Sequence, residues 1–423
     1  ITLISLNLFL YTNNFLLSAH SYPIHGKNGM VVSTSKNASK IGVNILKKGG
    51  NAIDAAVSIG FALAVTSSGN GNIGGGGFLV ASMANGENFT LDHRETAPSK
   101  SYQNMFLDSN NNVIPGMSLK THAGSGVPGT VDGLLKVFYD YGSGNISLRE
   151  VLSPAIKLAE KGFKLSFYEA NRFNNYKEMF EKNDAASKIF IRKDGKLWKK
   201  GDRFIQKDLA KTLKRILKFG RDGFYEGIIA ELIVKEMKKG NGLISLEDLN
   251  NYSSKYREPI QGFYKEYNII SMGPPSSGGI LLINMLNMLE NFPIDSLGWN
   301  SSDYVHILTE VERRAYADRA EHIGDPDFWD VPIPILTSKE YAKNRIKDIL
   351  MHKASLSTDI SASTNLNSES RETTHYSVVD KWGNAVSVTT TINLNYGSGI
   401  IVEGAGFFLN NEMDDFSSKP GVP

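Results

Sequence analysis

The apolar residues of the chain recur at helical spacing through much of its first three quarters. Residues 40–65 predict two helices separated by Gly49 and Gly50, and the second, residues 52–65, is apolar on every face and therefore expected to be buried. Three later segments also show helical spacing: residues 208–217, 228–238 and 303–322. Ser245 to Asp248 has the Ser-x-x-acid pattern of a helix start.

Strand-like segments lie on both sides of these helices. Residues 78–81 predict a strand that follows a glycine run, and residues 89–91 predict its partner. Residues 267–272 form a third strand-like run. Strands towards both ends with helices between them predict helices packed on a largely antiparallel sheet system.

A hairpin is predicted near the end of the chain, after a Ser-rich polar stretch at residues 353–372. Residues 373–380 and 385–392 are the two strands, and Trp382-Gly383 is the expected two-residue turn. This turn would place Thr373 opposite Ile392 and would bring Thr391 and Asn393 beside the start of the first strand. A hydroxyl group therefore stands at the mouth of the hairpin, with polar groups facing it.

Thr373 in this position has the chemistry of a self-cleaving nucleophile. A Thr hydroxyl needs a base beside it, and cleavage of the Glu372–Thr373 bond would free an α-amine with a pKa of about 8 to serve as that base. Before cleavage, the same Oγ could attack the carbonyl of Glu372 and form an ester that water hydrolyses. On the local pattern alone, an ordinary hairpin with Thr chosen for strand propensity is the commoner explanation.

Nine segments change this balance because they occur in order along one chain and closely resemble the γ-glutamyltransferases (glutathione hydrolases) of the N-terminal-nucleophile superfamily. The resemblance runs from about Gly26 to the last residue. The segments are residues 49–56 (GGNAIDAA), 72–78 (NIGGGGF), 92–98 (DHRETAP), 124–129 (GSGVPG), 274–279 (PPSSGG), 315–319 (AYADR), 373–380 (TTHYSVVD), 410–416 (NNEMDDF) and 419–423 (KPGVP).

The resemblance implies an α+β fold, the four-layer αββα sandwich of that superfamily, incomplete at the C-terminus. It also implies a large subunit at residues 22–372 and the beginning of the small catalytic subunit at residues 373–423, preceded by a signal peptide that the first residues predict at 1–21. Both subunits would come from one precursor that cleaves itself between Glu372 and Thr373.

The resemblance further assigns the site residues. Thr373 would be the nucleophile, assisted by the hydroxyl of Thr391. Arg94 would hold the α-carboxylate of a γ-glutamyl group in a bidentate grip, which suits a guanidinium. Asn393, Glu412 and Asp415 would hold its α-ammonium, and Glu412 stands where family members carry either Gln or Glu. Without the family, a lone Arg and an acidic loop would both be more typical of a solvated surface.

The activity implied is transfer of a γ-glutamyl group from glutathione or another γ-glutamyl compound to water or to the amine of an amino acid or dipeptide. No cofactor is implied. Two alternatives stay open, a related acylase of the same superfamily and a catalytically inactive truncated homologue. The second arises because the family's Ser-Ser pair and oxyanion-hole Gly-Gly are expected beyond Pro423, so that the sequence is interpreted as a partial one.

Composition excludes several other classes of function. The 46 Lys and Arg residues are interspersed with 44 acids for a net charge of +2, which gives no basic block for nucleic acid. The chain has no Cys, and its eight His residues show no metal-ligand spacing. Residues 69–74 match G-x-G-x-x-G, but a helix precedes them and a strand follows, so we interpret them as a tight glycine turn. His375 shares a strand face with Thr373, yet a structural role is favoured because the α-amine makes a second base unnecessary.

The first residues predict export. Residues 1–17 carry no charge and are mostly apolar, and Ala19-His20-Ser21 resembles the small-x-small pattern before a signal-peptidase cut. Ile1 stands in place of Met, and the natural start is expected to be missing. A periplasmic or secreted location is therefore expected, with an uncleaved anchor as the alternative.

Overall fold

The computed structural model describes residues 23–360 and 373–419. In these residues the strands are β1 (Gly29–Val32), β2 (Gly76–Ser82), β3 (Asn88–Asp92), β4 (Phe163–Lys164), β5 (Arg203–Phe204), β6 (Lys255–Arg257), β7 (Ile260–Tyr264), β8 (Tyr267–Ser271), β9 (Thr374–Asp380) and β10 (Ala385–Thr391). The predicted signal segment, residues 1–21, and Glu372 lie outside the described residues.

The longer α-helices are α1 (Lys36–Lys47), α2 (Ala52–Thr66), α4 (Thr130–Tyr141), α5 (Leu148–Lys161), α6 (Phe167–Asn175), α9 (Lys207–Phe219), α11 (Gly227–Lys239), α13 (Gly278–Leu289) and α14 (Ser302–His322). The shorter ones are α3 (Met117–Lys120), α7 (Lys177–Glu181), α8 (Asp184–Phe190), α10 (Asp222–Tyr225), α12 (Leu246–Asn251), α15 (Ile333–Leu336) and α16 (Lys339–Arg345). Short 3-10 helices span His122–Gly124, Ile294–Ser296 and Glu412–Asp415.

The main sheet of the described residues brings together strands from distant parts of the chain. Its order is β1-β9-β10-β2-β3-β6, and every neighbouring pair is antiparallel. The predicted pairing of the strands after the glycine run is confirmed, since Leu79 of β2 lies opposite Leu91 of β3. The hairpin β9–β10 therefore lies between β1 and β2, and these two flanking strands come from the N-terminal part of the chain.

One face of this sheet is covered by α2, as its apolar sequence predicts. Every residue of α2 is buried, and the helix packs on β9 and β10. Burying each large apolar side chain, such as Phe61, stabilises the fold by about 1.5–3 kcal/mol. The capping box of Asn51 and Asp54 begins the helix directly after the Gly49-Gly50 break.

The other face of the sheet is partly exposed among the described residues. Side chains alternate along each strand, so that Tyr376 and Val378 of β9 are buried while His375 and Val379 lie on the opposite side.

A second, smaller core lies in a helical region built from α13, α14 and α16, where Leu281, Met288 and Val311 are buried.

The predicted hairpin is confirmed, but its predicted turn is wrong. Thr374 lies opposite Thr390, one residue away from the expected register, and a three-residue turn replaces the two-residue Trp382-Gly383 turn. Continuing this register by one residue places Thr391, and not Ile392, opposite Thr373. The physical reason is Asp380, whose Oδ1 accepts hydrogen bonds from the N–H groups of both Trp382 and Asn384.

The helices predicted from spacing are confirmed in α1, α2, α9, α11 and α14, with ends that differ by a few residues. Ser245 and Asp248 form the predicted capping box at the start of α12. Within the described part of the chain, no helix is long and apolar enough to span a membrane.

Candidate active site

The candidate site begins at the open end of the β9–β10 hairpin. Thr373 is exposed and immediately precedes β9, whereas Thr391 is buried and ends β10. Thr391 Oγ1 accepts a hydrogen bond of 2.9 Å from the N–H group of Asn393. Asn393 has a left-handed φ of +67°, which Asn tolerates better than most residues. This local turn fixes the Thr391 hydroxyl at the end of the hairpin where Thr373 lies.

A run of four glycines, Gly74 to Gly77, fits the backbone of β2 against this end of the hairpin. A Cβ atom on Gly75 would stand 2.2 Å from the carbonyl oxygen of Thr391, and one on Gly74 would stand 2.1 Å from that of Phe408. Asn72 also fixes the end of β10, because its Nδ2 donates a hydrogen bond of 2.8 Å to the carbonyl oxygen of Thr391. The interpretation of the G-x-G-x-x-G match at residues 69–74 as a tight glycine turn is confirmed, since α2 precedes these residues and β2 follows them.

Arg94 is positioned by the backbone and side chains that follow β3. Its N–H group donates to Asp92 Oδ1 over 3.0 Å, and its carbonyl accepts from the Tyr252 hydroxyl over 2.8 Å. Asp92 is held in turn by Arg257, whose Nε donates to Asp92 Oδ2. The Arg94 guanidinium, 19% exposed, lies 5.6 Å from the centre of the Phe78 ring. It is therefore a fixed cation near the end of the sheet and not a solvated surface Arg.

Three carboxylates surround this guanidinium. Arg94 Nη2 lies 2.5 Å from Glu412 Oε1 and 2.6 Å from Asp415 Oδ2, while Nη1 lies 3.3 Å from Glu95 Oε2. Glu412 and Asp415 come from the 3-10 helix Glu412–Asp415, more than 300 residues along the chain from Arg94. The fold thus places a cation that can bind a carboxylate beside acids that can accept hydrogen bonds from an ammonium.

Asn393 lies at the edge of this cluster, where the hairpin meets the acidic segment. Its Nδ2 donates to the carbonyl of Asn411 over 2.9 Å, directly before Glu412. The amide of Asn411 reinforces the contact, because its Oδ1 accepts from the N–H group of Leu394. Arg94, Asn393, Glu412 and Asp415, predicted from widely separated segments, therefore lie in one connected site.

Burial shapes the electrostatics of the site. It raises the pKa of the Glu95 carboxyl from 4.5 to about 7, against the opposing effect of the Arg94 charge, and it also raises the pKa of Glu412 well above its usual range. Burial alone would lower the pKa of the Arg94 guanidinium, but Glu412, Glu95 and Asp415 together raise it. One cation faces three acids, so near neutral pH the Glu95–Glu412 pair retains a proton. A bound ammonium would relieve this excess of negative charge.

His375 does not join the site. Its Nδ1 lies 2.9 Å from Thr389 Oγ1 and its Nε2 lies 3.1 Å from Ser377 Oγ, both farther along the sheet. Burial lowers its pKa. Among residues 23–360 and 373–419, no three His, Asp or Glu side chains are grouped so that they could hold a metal ion.

Glu95 and Asn410 also belong to the site, although the motifs that contain them predict no role for either residue. Glu95 Oε1 is buried without a hydrogen-bond partner among the described residues, and its other oxygen contacts Arg94. Asn410 Nδ2 donates to the carbonyls of Gly74 and Gly126, and its Oδ1 accepts from the N–H groups of Gly126 and Glu412. Their burial is what marks Glu95 and Asn410 as site residues. The sequence alone does not show whether a polar residue next to a candidate ligand is buried or exposed.

Comparison with known proteins supports the same family from sequence and from structure. A family model described as Gamma-glutamyltranspeptidase matches residues 38–423. The glutathione hydrolase proenzyme of Escherichia coli (strain K12) is 47% identical over 402 residues, which span 95% of this chain and 69% of that protein.

Two solved structures share the fold. The crystal structure of Helicobacter pylori gamma-glutamyltranspeptidase is similar with a TM-score of 0.78 at 47% identity, covering 80% of this chain and 97% of the solved one. Cephalosporin acylase from Bacillus halodurans is similar with a TM-score of 0.79 at 25% identity, covering 96% of this chain and 74% of the solved one. The predicted α+β fold of the N-terminal-nucleophile hydrolases is confirmed, and the chain belongs to the γ-glutamyltranspeptidase family.

Proposed function

We propose that the protein is a γ-glutamyl transferase and hydrolase that uses Thr373 as its nucleophile and glutathione or a related γ-glutamyl compound as its donor. The observation that carries this proposal is the convergence of Arg94, Asn393, Glu412 and Asp415 near the end of the hairpin that Thr373 begins. An α-amino acid head group carries one carboxylate and one ammonium, and this cluster offers a cation and acceptor oxygens for them. Holding the head group positions the distant γ-carbonyl against a nucleophile.

The first chemical step is cleavage of the chain itself. Thr373 Oγ attacks the carbonyl carbon of Glu372, the peptide C–N bond breaks as the hydroxyl proton passes to the Thr373 nitrogen, and water hydrolyses the resulting ester. The new α-amine of Thr373 then lies beside its own hydroxyl and serves as the base. The name of the E. coli relative, a proenzyme, supports a precursor of this kind.

The catalytic cycle uses the same hydroxyl. Thr373 Oγ attacks the γ-amide carbon of the donor while the α-amine takes its proton and passes it to the leaving amine. Water or the amine of an amino acid or dipeptide then attacks the γ-glutamyl ester and regenerates the hydroxyl. Thr391 lies opposite Thr373 in the extended register and is proposed to assist the nucleophile by hydrogen bonding.

Substitution of the nucleophile tests this function. Thr373→Ala removes the hydroxyl, so we expect a single uncut chain on a denaturing gel and a loss of γ-glutamyl-p-nitroanilide turnover of about a thousandfold or more. Thr358→Ala, which alters an exposed Thr upstream, should be cut and active like the wild type. Terminal sequencing of the mature protein should find a polypeptide that begins Thr-Thr-His-Tyr.

Two results would count against the nucleophile assignment. Turnover that survives in Thr373→Ala would exclude Thr373 as the nucleophile. An uncut wild-type protein without activity would instead support the inactive homologue.

A second candidate function is the acylase chemistry named for the structurally similar Bacillus halodurans protein. The acids Glu412 and Asp415 favour the γ-glutamyl function, because a substrate without an ammonium would leave them facing only Arg94. Glutaryl-p-nitroanilide differs from the γ-glutamyl compound only in lacking that ammonium. We expect the γ-glutamyl compound to have a kcat/KM at least about a hundredfold higher. Equal values would favour the acylase.

A further inference from the structure

A cavity outside the head-group site reaches Thr373 from the side of α2 and α6. It has a volume of about 420 Å³ and is lined by Thr373, the loop that follows α2, and the first turns of α6. Its lining includes none of the four head-group residues Arg94, Asn393, Glu412 and Asp415. The nucleophile therefore borders a space that the γ-glutamyl head group does not use.

The cavity contains the guanidinium of Arg172, which no carboxylate of the described residues pairs with. Arg172 Nη2 donates to Asn70 Oδ1 over 2.5 Å, and the guanidinium carbon lies 5.4 Å from the centre of the buried Tyr396 ring. Among the described residues no carboxylate forms an ion pair with Arg172. Glu169 lines the same cavity, but its Oε2 accepts the N–H group of Ser166 in the capping box of α6. Arg172 is thus a fixed cation without a counter-charge in the described part of the chain.

The side-chain amide of Asn70 supplies a donor without an acceptor. Its side chain is only 4% exposed, and its Nδ2 has no hydrogen-bond partner in the described residues. A buried donor left in this state destabilises a protein by about 1–3 kcal/mol unless something accepts from it. The hydroxyl-bearing residues Ser67 and Ser68 line the same wall. An amide donor and a guanidinium side by side suit a carboxylate, whose two oxygens accept several hydrogen bonds.

We infer that this cavity binds the carboxylate of the amino acid or peptide on the amine side of the scissile γ-amide, with Arg172 and Asn70 as its ligands. The inference rests on the proposed function and specifies the acceptor. Formation and aminolysis of the γ-glutamyl ester are the reverse of one another, so the leaving amine and the accepting amine use the same side of Thr373. The carboxylate held by Arg172 then directs the free amine towards the ester carbon.

The transfer step balances within the proposed mechanism. The acceptor nitrogen forms a bond to the ester carbonyl carbon, and the bond from that carbon to Thr373 Oγ breaks. The proton lost by the amine passes through the Thr373 α-amine to Oγ. No other reactant is needed.

The test compares two acceptors that differ only at the carboxylate. With γ-glutamyl-p-nitroanilide as donor and the processed enzyme, kcat/KM for transfer is measured for glycylglycine and for glycylglycinamide at equal concentrations of free amine. We expect the wild type to prefer glycylglycine by about tenfold or more, a typical effect of one charge-assisted contact. Arg172→Ala should bring this ratio close to one, and Arg172→Lys should restore part of it.

Two further variants make the result independent of folding defects. In Gly69→Ala the new Cβ would stand 2.5 Å from Arg172 Nη2, the end of a flexible side chain that can move, so this variant should fold and still lose the preference. Arg149→Ala, at an exposed position of α5, should keep it. A wild-type ratio near one, or an unchanged ratio in Arg172→Ala and Gly69→Ala, would overturn the inference while leaving the proposed function intact. Failure of the wild type to release any anilide would overturn both.

Discussion

At the scale of single residues, the head-group site is an arrangement of charges that is incomplete without its substrate. Arg94 faces the buried Glu95 and Glu412 and the exposed Asp415, and one guanidinium cannot neutralise all three carboxylates. A γ-glutamyl head group adds a carboxylate for Arg94 and an ammonium for the acids. The same excess of acids that destabilises the empty site therefore favours a zwitterion over a simple carboxylic acid.

Burial of Glu95 beside this excess of acids predicts that the substrate-free protein loses stability as the pH rises. The folded-state pKa of Glu95, about 7, lies above its ordinary value of 4.5, so the folded protein holds this proton more tightly than the unfolded chain. The contribution of protonated Glu95 to the free energy of unfolding is fully present below pH 4.5 and is lost as the pH rises towards 7. Glu95→Gln, which mimics the protonated form, should gain stability over the wild type across this range, on the order of 3 kcal/mol by pH 7.5.

Urea unfolding at pH 4.5, 6 and 7.5, in buffers without amino acids, measures the difference. Comparing the two proteins isolates the Glu95–Glu412 pair, because titrating groups outside this pair are common to both. Glu178→Gln, at an exposed position of α7, is the matched control and should show no pH-dependent gain. A constant difference between Glu95→Gln and wild type at the three pH values would refute the charge argument.

At the scale of elements, the hairpin shows both the reach and the limit of local sequence patterns. Alternation and turn residues were sufficient to predict β9 and β10, but not the register between them. Asp380 decides the register, and it does so partly through α2, because its Oδ2 accepts the N–H group of Ala52 at the start of that helix. A contact between residues 328 positions apart has no signature in the local pattern. The site residues, by contrast, were predicted from motifs of the family and not from periodicity.

The glycine run offers a test at this scale. A Cβ on Gly75 would meet Thr391 O at 2.2 Å and the Ile392 side chain at 2.6 Å, and the backbone of a paired strand cannot move aside easily. Gly75→Ala should therefore lower the free energy of unfolding by about 1–3 kcal/mol or more. Gly278→Ala is a suitable control, because this exposed glycine at the start of α13 has only Ser276 Oγ, at 3.5 Å, near its would-be Cβ. Equal urea midpoints for both variants would show that β2 and β10 are not so closely fitted.

At the scale of the whole molecule, the site depends on contacts that cross the chain. Asp327, which follows α14, pairs with Arg257 of β6, and Arg257 in turn holds Asp92, the residue that orients the Arg94 backbone. Helices could be predicted one at a time from their spacing. The strand order could not, because it joins β1 and β2 to strands some 300 residues later, and antiparallel pairing at that distance follows only from the assembled core.

The position of β9 and β10 between β1 and β2 has a consequence for a chain cut before Thr373. The intact hairpin would belong to the shorter fragment, with β9 still hydrogen-bonded to β1 and β10 still hydrogen-bonded to β2 of the longer fragment. Glu412 and Asp415 would still pair with Arg94 across the break. The two fragments would behave as a single body under dilution. Their separation would require melting the centre of the sheet.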